Sequence, residues 1–366
     1  MTLTSSPETS HLRALSQLTL NQQEPGSSAL RDALTYIAEL DAAGRAQLLS
    51  LADSHHVLVR ALQTVRALAA GTSDTGLIAW AESALTAEQA RIDNALRHLD
   101  AVCRELEAAR CPAVVMKSLD HWPDLGNDLD LVTTASERDI VRIMRGNFQA
   151  HVEPRSWGDR LANKWNFALP GLREAIEVHA QRLGQTGEHT ALARRVIERA
   201  VARELGGYVF RVPAPEERVI IATLQRMYRH FYFRICDVLD TAALVESGAV
   251  NFAELRRSAD LGGIWPGVAT FLVIISDYVK SYRGVGVASP AEVLAAAKFG
   301  GNKITVRNRF LRFPLMPEGA ELYKLQMGHT ARRGNLPAAL RLSLLPPLAS
   351  VAALAYRVTG SDKGIW

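Results

Sequence analysis

Cysteine is scarce in this chain. Cys103, Cys111 and Cys236 are the only three in 366 residues, and no two form a CxxC pair. That excludes a disulfide scaffold and offers no zinc-ribbon or thioredoxin spacing. Long apolar runs are missing too: no stretch reaches the roughly 18 residues that a membrane-spanning helix needs. The nearest, Leu342 to Val358, contains Ser343, Pro346-Pro347, Ser350 and Arg357. It reads as a helix packed on the body after Pro347, with a membrane-surface position as the alternative, and no integral membrane segment is expected. The first 12 residues are polar, with neither a basic n-region nor an apolar h-region, so a cytoplasmic location is the expectation. Internal repeats and low-complexity segments are also missing.

What is present is an ordinary globular composition, 48% apolar and 22% charged. At about 150 residues per domain the length suggests two or three domains. Net charge is +4, but its distribution is uneven. Between Lys298 and Arg341 nine Lys/Arg face Glu318 and Glu321, a net of +7, which leaves −3 for the rest of the chain. Such a segment suits phosphate, nucleic acid or an anionic surface.

The pattern predicts an α+β protein: a small mixed β-sheet core flanked by N-terminal and C-terminal helical regions. Residues 1–28, rich in Ser, Thr, Gln and Pro, read as a flexible tail. Residues 29–110 form a helical region, in which a Thr86/Gln89 capping box is expected to start a long helix. Residues 111–212 form the α+β core, with strands at 113–116, 129–132, 164–169 and 175–179 and a helix at 137–146. Residues 213–298 return to helix. Residues 299–366 form a basic C-terminal extension, in which 303–313 look extended.

The chemistry concentrates in Asp128-Leu129-Asp130-Leu131-Val132. Side chains two apart on a strand share a face, so Asp128 and Asp130 project together while Leu129 and Leu131 enter the core. Paired carboxylates repel unless a cation lies between them, and oxygen ligands suit Mg²⁺ or Mn²⁺. Glu177 lies on another alternating strand and joins them if the strands pair. The plainer alternative is that Asp128, following Asn127, merely caps a turn. Lys117-Ser118, directly after the first strand, offers a tight turn and a positive charge for a phosphate; the alternative for Lys117 is an exposed loop lysine. His179 shares a strand face with Glu177 as a partner, a substrate contact or a structural histidine. Trp157 and Trp165 are candidates to stack on a base or to pack in the core. His55-His56, without evident carboxylate partners, is given no metal role.

Taken in order, Cys111 to Ser118, Asn127 to Val132 and Ile176-Glu177-Val178-His179 resemble the uncharacterised nucleotidyltransferase family of the DNA polymerase β-like superfamily. Members have a helical lead-in, a strand ending in Lys-Gly, a D-I-D-L-type strand and a later Glu-x-His. They also have a downstream helix carrying a His, a basic residue and an Asp, which His230, Arg234 and Asp237 match in spacing. The resemblance covers roughly residues 45–285. It departs at Ser118, where the family has glycine, and finds no counterpart for the basic extension.

This resemblance implies a metal-dependent nucleotidyltransferase. Asp128 and Asp130 would hold Mg²⁺ or Mn²⁺ on a nucleoside triphosphate such as ATP. Glu177 would help bind a second ion or activate the acceptor hydroxyl. Lys117, Ser118, His179, His230 and Arg234 would contact nucleotide or acceptor. The acceptor is RNA, a small metabolite or a peptide. The alternative from another class is a non-catalytic nucleotide- or RNA-binding adaptor that keeps the fold.

Overall fold

In a computed structural model, residues 7–22 and 26–351 are described. The chain opens with five helices: α1 (Pro7–Leu20), α2 (Ser28–Glu39), α3 (Ala42–Ser54), α4 (Leu58–Thr72) and α5 (Thr75–Ala108). The expected flexible tail is corrected over residues 7–22, the described part of its first 25 positions. Leu12, Leu15 and Leu18 of α1 recur at helical spacing, are buried, and pack on α2 and α4. Ser16 and Tyr278 hydroxyls are also 2.7 Å apart. The start of α5 is corrected as well. Asp74 caps it by accepting from Leu77 N at 2.9 Å, so Thr86 lies mid-helix and its hydroxyl turns back to Glu82 O.

The central unit follows. It comprises β1 (Ala113–Met116), β2 (Asp128–Thr133), α6 (Glu137–Phe148), β3 (His151–Val152), α7 (Trp157–Ala162), β4 (Lys164–Ala168), β5 (Ala175–Ala180) and α8 (Thr190–Glu198). The hairpin β6 (Val201–Leu205) and β7 (Tyr208–Val212) closes it. The sheet order is β1-β2-β5-β4-β3, with β2 and β5 parallel and every other pair antiparallel, so the fold is α+β with a small mixed sheet. Alternation divides its faces. Val115, Leu129, Leu131, Ile176 and Val178 bury one face with α5 and α6 residues, while Asp130, Glu177 and His179 occupy the other.

Residues 215–246 are not one helix. α9 (Pro215–Gln225) widens into one turn at Arg226–His230, Phe231 takes φ +55°, and β8 (Tyr232–Phe233) precedes α10 (Ile235–Glu246). Then come α11 (Phe252–Gly262), α12 (Trp265–Arg283), α13 (Ala291–Ala296), β9 (Thr305–Arg307), β10 (Phe310–Arg312), α14 (Ala320–Arg332) and α15 (Leu336–Leu342). Strand β10 pairs with both β9 and β8. Residues 345–351 are helical and largely exposed, and 352–358 of the apolar run lie outside the described residues.

The two helical regions share one core. Leu15 and Leu62 from the N-terminal side join Phe233, Phe271 and Ile275 from the C-terminal side in a single apolar cluster. The Arg283 guanidinium donates to Leu20 O at 2.8 Å.

Because α1 completes that core, Leu15→Ala should cost about 2–5 kcal/mol, the usual range for a buried leucine truncation. Urea denaturation measures it, and an unchanged midpoint would return α1 to the status of a tail.

Candidate active-site cleft

The parallel register sets Asp130 directly opposite Glu177, with Met116 opposite Asp130 on the other side. Asp130 and Glu177 are buried, 7% and 8% exposed, so their charges need partners within the protein. Two lysines supply them. Lys117 Nζ pairs with Asp130 and lies 3.8 Å from Glu177. Lys164 Nζ stands 2.9 Å from both Glu177 Oε2 and Asp159 Oδ1. His179 Nε2 lies 2.8 Å from Glu177 Oε1, and its buried Nδ1 has no hydrogen-bond partner among the described residues.

These contacts set the charge states. Burial alone would raise the Glu177 pKa, but Lys117, the His179 hydrogen bond and Lys164 hold it well below the usual carboxylate range. Asp128 lies at the exposed end of β2. Loss of water, together with Asp130 and Glu177, pushes its pKa up to about 6. Asp130 and Glu177 thus act on Asp128 as like charges.

Lys117 has φ +53° and ψ −61°, a conformation that glycine adopts more easily. Non-glycine residues held there cost roughly 1–3 kcal/mol and cluster at functional sites. Ser118 is assigned differently from the expectation of a phosphate contact. Its hydroxyl donates to Asp128 O at 3.0 Å and accepts from Asp130 N at 2.9 Å. It locks the turn to β2 between the two aspartates, a bond that glycine lacks.

Opposite the carboxylates stands a basic wall. The cleft measures about 750 Å³ including its open mouth, and Arg226, Arg229, His230 and Arg234 line it. The expected single helix face for His230, Arg234 and Asp237 is corrected. The chain breaks at Phe231, so His230 ends one element and Arg234 caps the next. Asp237 turns inward. It accepts from Arg234 N at 2.7 Å and pairs with buried Arg226 at 2.7 Å. Arg229 and Arg234 have no carboxylate partner among the described residues.

Burial and the surrounding cations keep two imidazoles of this wall neutral. The His230 pKa is depressed by burial, then by Arg229, Arg226, Arg234 and Lys117, and that of His56 by burial and then chiefly Arg234. The potential of the wall is therefore positive, as anion binding requires.

Sequence reading passed over Lys164, Arg226 and Arg229, and it gave His56 no metal role without seeing its place in the cleft. Lys164 was legible, since the 164–169 alternation puts it on one face with Asn166, and Asn166 is opposite Glu177. His56 was not, because only tertiary packing brings it against Arg234. Its neighbour His55 is structural, accepting from Ile235 N at 3.0 Å and lying 2.8 Å from Arg309 O. Trp157 and Trp165 do not line the cleft; Trp157 is exposed and Trp165 lies 4.0 Å under the Arg155 guanidinium. Part of the basic extension is also committed internally. Arg341 donates to Leu161 O and Thr186 O, Lys303 pairs with Glu318, and Arg312 stacks over Tyr232.

An antigenic nucleotidyltransferase-like protein from Paracoccidioides brasiliensis is a similar solved structure. It has 14% identity and a TM-score of 0.30, over 43% of this chain and 82% of its own. No family model matches the chain. No curated protein matches it either.

The raised Asp128 pKa has a signed consequence. A group that binds its proton more tightly when folded loses stability as pH climbs from its unfolded value, about 3.9, through its folded value. Asp128→Asn lifts that penalty. In metal-free buffer its melting temperature should match the native protein near pH 4 and equal or exceed it above pH 6. A large loss at all pH values would make Asp128 a structural cap.

Proposed function

We propose that the cleft is the active site of a metal-dependent nucleotidyltransferase, which moves an NMP from an NTP to a hydroxyl or phosphate acceptor with release of pyrophosphate. The observation that carries this reading is the juxtaposition of Asp130 and Glu177 across β2 and β5, with Asp128 beside them, facing a wall of cations.

The donor set fits a hard divalent cation. Donor atoms of Asp130, Glu177 and His179 lie within 4.8 Å of one another. On the sheet side of the cleft Asp128, Asp130, Asp159 and Glu177 outnumber the two ammonium groups, Lys117 and Lys164, and the cations that balance them, Arg229 and Arg234, stand on the opposite wall. Asp128 and Asp130 would hold Mg²⁺ or Mn²⁺, with Glu177 beside them. When bound, the ion would neutralise phosphate charge and polarise the phosphoryl group under attack.

The chain's own groups do the rest. Arg229, Arg234 and His230 orient the triphosphate, and Lys117 exchanges Asp130 for a phosphate oxygen. Glu177, kept ionised, would help bind a second ion or activate the acceptor hydroxyl, with His179 and Lys164 fixing its rotamer. The acceptor oxygen bonds to the α-phosphorus as the bond to the pyrophosphate oxygen breaks. Positioning and charge neutralisation supply the acceleration. RNA, a small metabolite and a peptide are the acceptor classes to test.

One observation favours the second reading, an adaptor that binds nucleotide or RNA without chemistry. The ion pairs of Lys117 and Lys164 neutralise the carboxylates in part without a metal. The two readings part on one experiment. Each α-labelled NTP is incubated with protein, Mg²⁺ and host extract, and labelled product and pyrophosphate are followed. An enzyme labels an acceptor, and Asp130→Asn lowers pyrophosphate release by orders of magnitude. An adaptor binds nucleotide, releases none in any form, and is indifferent to Asp128→Asn.

A further inference from the structure

We propose that the small sheet β8-β10-β9, at the mouth of the cleft, binds single-stranded nucleic acid and leads its end toward the carboxylates. Calling that strand the acceptor rests on the transferase reading; the binding itself does not.

Register decides what this sheet presents. Side chains directly opposite in an antiparallel pair share a face, as do residues two apart on one strand. Arg312 is opposite both Tyr232 and Thr305, and Phe310 is opposite Arg307. Tyr232, Thr305, Arg307, Phe310 and Arg312 therefore share one face. Phe233, Leu311 and Val306 take the other and join the apolar core. Tyr232 lines the cleft, so the first face is the one turned toward it.

The cations of this face continue the wall. The guanidiniums of Arg234 and Arg312 lie 5.9 and 5.0 Å from the Tyr232 ring centroid, so the wall inside the cleft and the strands outside it meet at one ring. Beyond Arg312 come Arg307, which is exposed, and Arg309 in the β9–β10 turn. None of Arg307, Arg309 and Arg312 has a carboxylate partner among the described residues. Arg312 is held by Tyr232 and by donating its Nε–H to Arg307 O at 3.3 Å, and neither contact spends its charge on an acid.

Scale and composition choose the ligand. The cleft already offers a triphosphate Arg229, Arg234 and His230, whereas this row of cations runs on past it. The three residue steps from Arg312 back to Arg309 span about 10 Å of strand. That is roughly three nucleotides of a stacked strand at about 3.4 Å each. Tyr232 and Phe310, with ring centroids 4.4 Å apart, stand among the arginines. Aromatic rings and guanidinium planes are the surfaces on which unpaired bases stack, and cations beside them track the phosphates. An anionic membrane fits less well, because the turn at Asn308-Arg309 has no apolar side chain to insert.

The test uses the full chain without metal or NTP. Fluorescence anisotropy follows labelled oligouridylate and its deoxy counterpart, which share phosphate and base chemistry; binding of either supports the site, and the tighter one names the sugar. Log affinity should fall linearly with log salt, and Arg307→Gln/Arg312→Gln should flatten the slope by about 1.4, at about 0.7 per phosphate contact on a single strand. Arg307→Gln alone, at an exposed position, should flatten it by about half as much, which decides the matter if the double variant does not fold. Arg332→Gln/Arg333→Gln removes the same charge from exposed residues at the end of α14, outside the sheet, and should leave the slope as it is. An equal effect of both pairs, binding to phosphatidylserine vesicles but to neither strand, or no binding at all overturns the proposal. Strand binding without pyrophosphate release in the labelled-NTP experiment would instead withdraw the transferase reading and leave the sheet a nucleic-acid site.

Discussion

The parallel pairing of β2 with β5 is the constraint on which the rest depends. It buries Asp130 against Glu177, and two carboxylates at that depth are untenable without counter-charge. Lys117, directly after β1, and Lys164, on β4, meet the need from the two flanks of the β2–β5 pair. Lys117 does so in a backbone conformation that lysine seldom takes, held by the Ser118 hydroxyl bridging to β2. Such local strain is kept where the geometry is useful rather than where it is stable.

The opposing wall depends on a break. If residues 215–246 ran as one helix, His230, Arg234 and Asp237 would share a face and Arg226 would have no buried partner. The left-handed Phe231 and the short β8 turn the chain instead, so Asp237 neutralises Arg226 inside while Arg229 and Arg234 stay free of carboxylates. Strand β10 pairs with β8 and steadies this rim, and His55 ties the N-terminal helices to the same point through Ile235 and Arg309. Both helical regions and the basic segment therefore converge on one side of the cleft.

Strands β2, β4 and β5 were legible from a two-residue alternation, and β1 from its short apolar run. Leu129, Leu131, Ile176 and Val178 mark the buried face, and Asp130, Glu177 and His179 follow on the other by geometry alone. The helix at Ser136 was equally legible from its cap, Asp139 N donating to the Ser136 hydroxyl. Legibility failed where composition stood in for packing. The polar residues of the first 28 positions hid the buried stripe of α1, and Thr86/Gln89 imitated a helix start inside a helix already under way. It failed also where charge was read as exposure, since Arg341 spends its charge on backbone carbonyls within the fold.

By itself the sequence determined the α+β class, the carboxylate-bearing strand faces and the turn at Lys117-Ser118, because strand periodicity and turn chemistry act over a few residues. Only the tertiary structure decided the partners. Which strand lies beside β2, which lysine neutralises which acid, and that Cys236 meets His121 across 115 positions all depend on contacts between residues far apart in the chain. Local propensity carries no information about such pairings. They are selected by the burial of one shared core, which is a property of the whole fold.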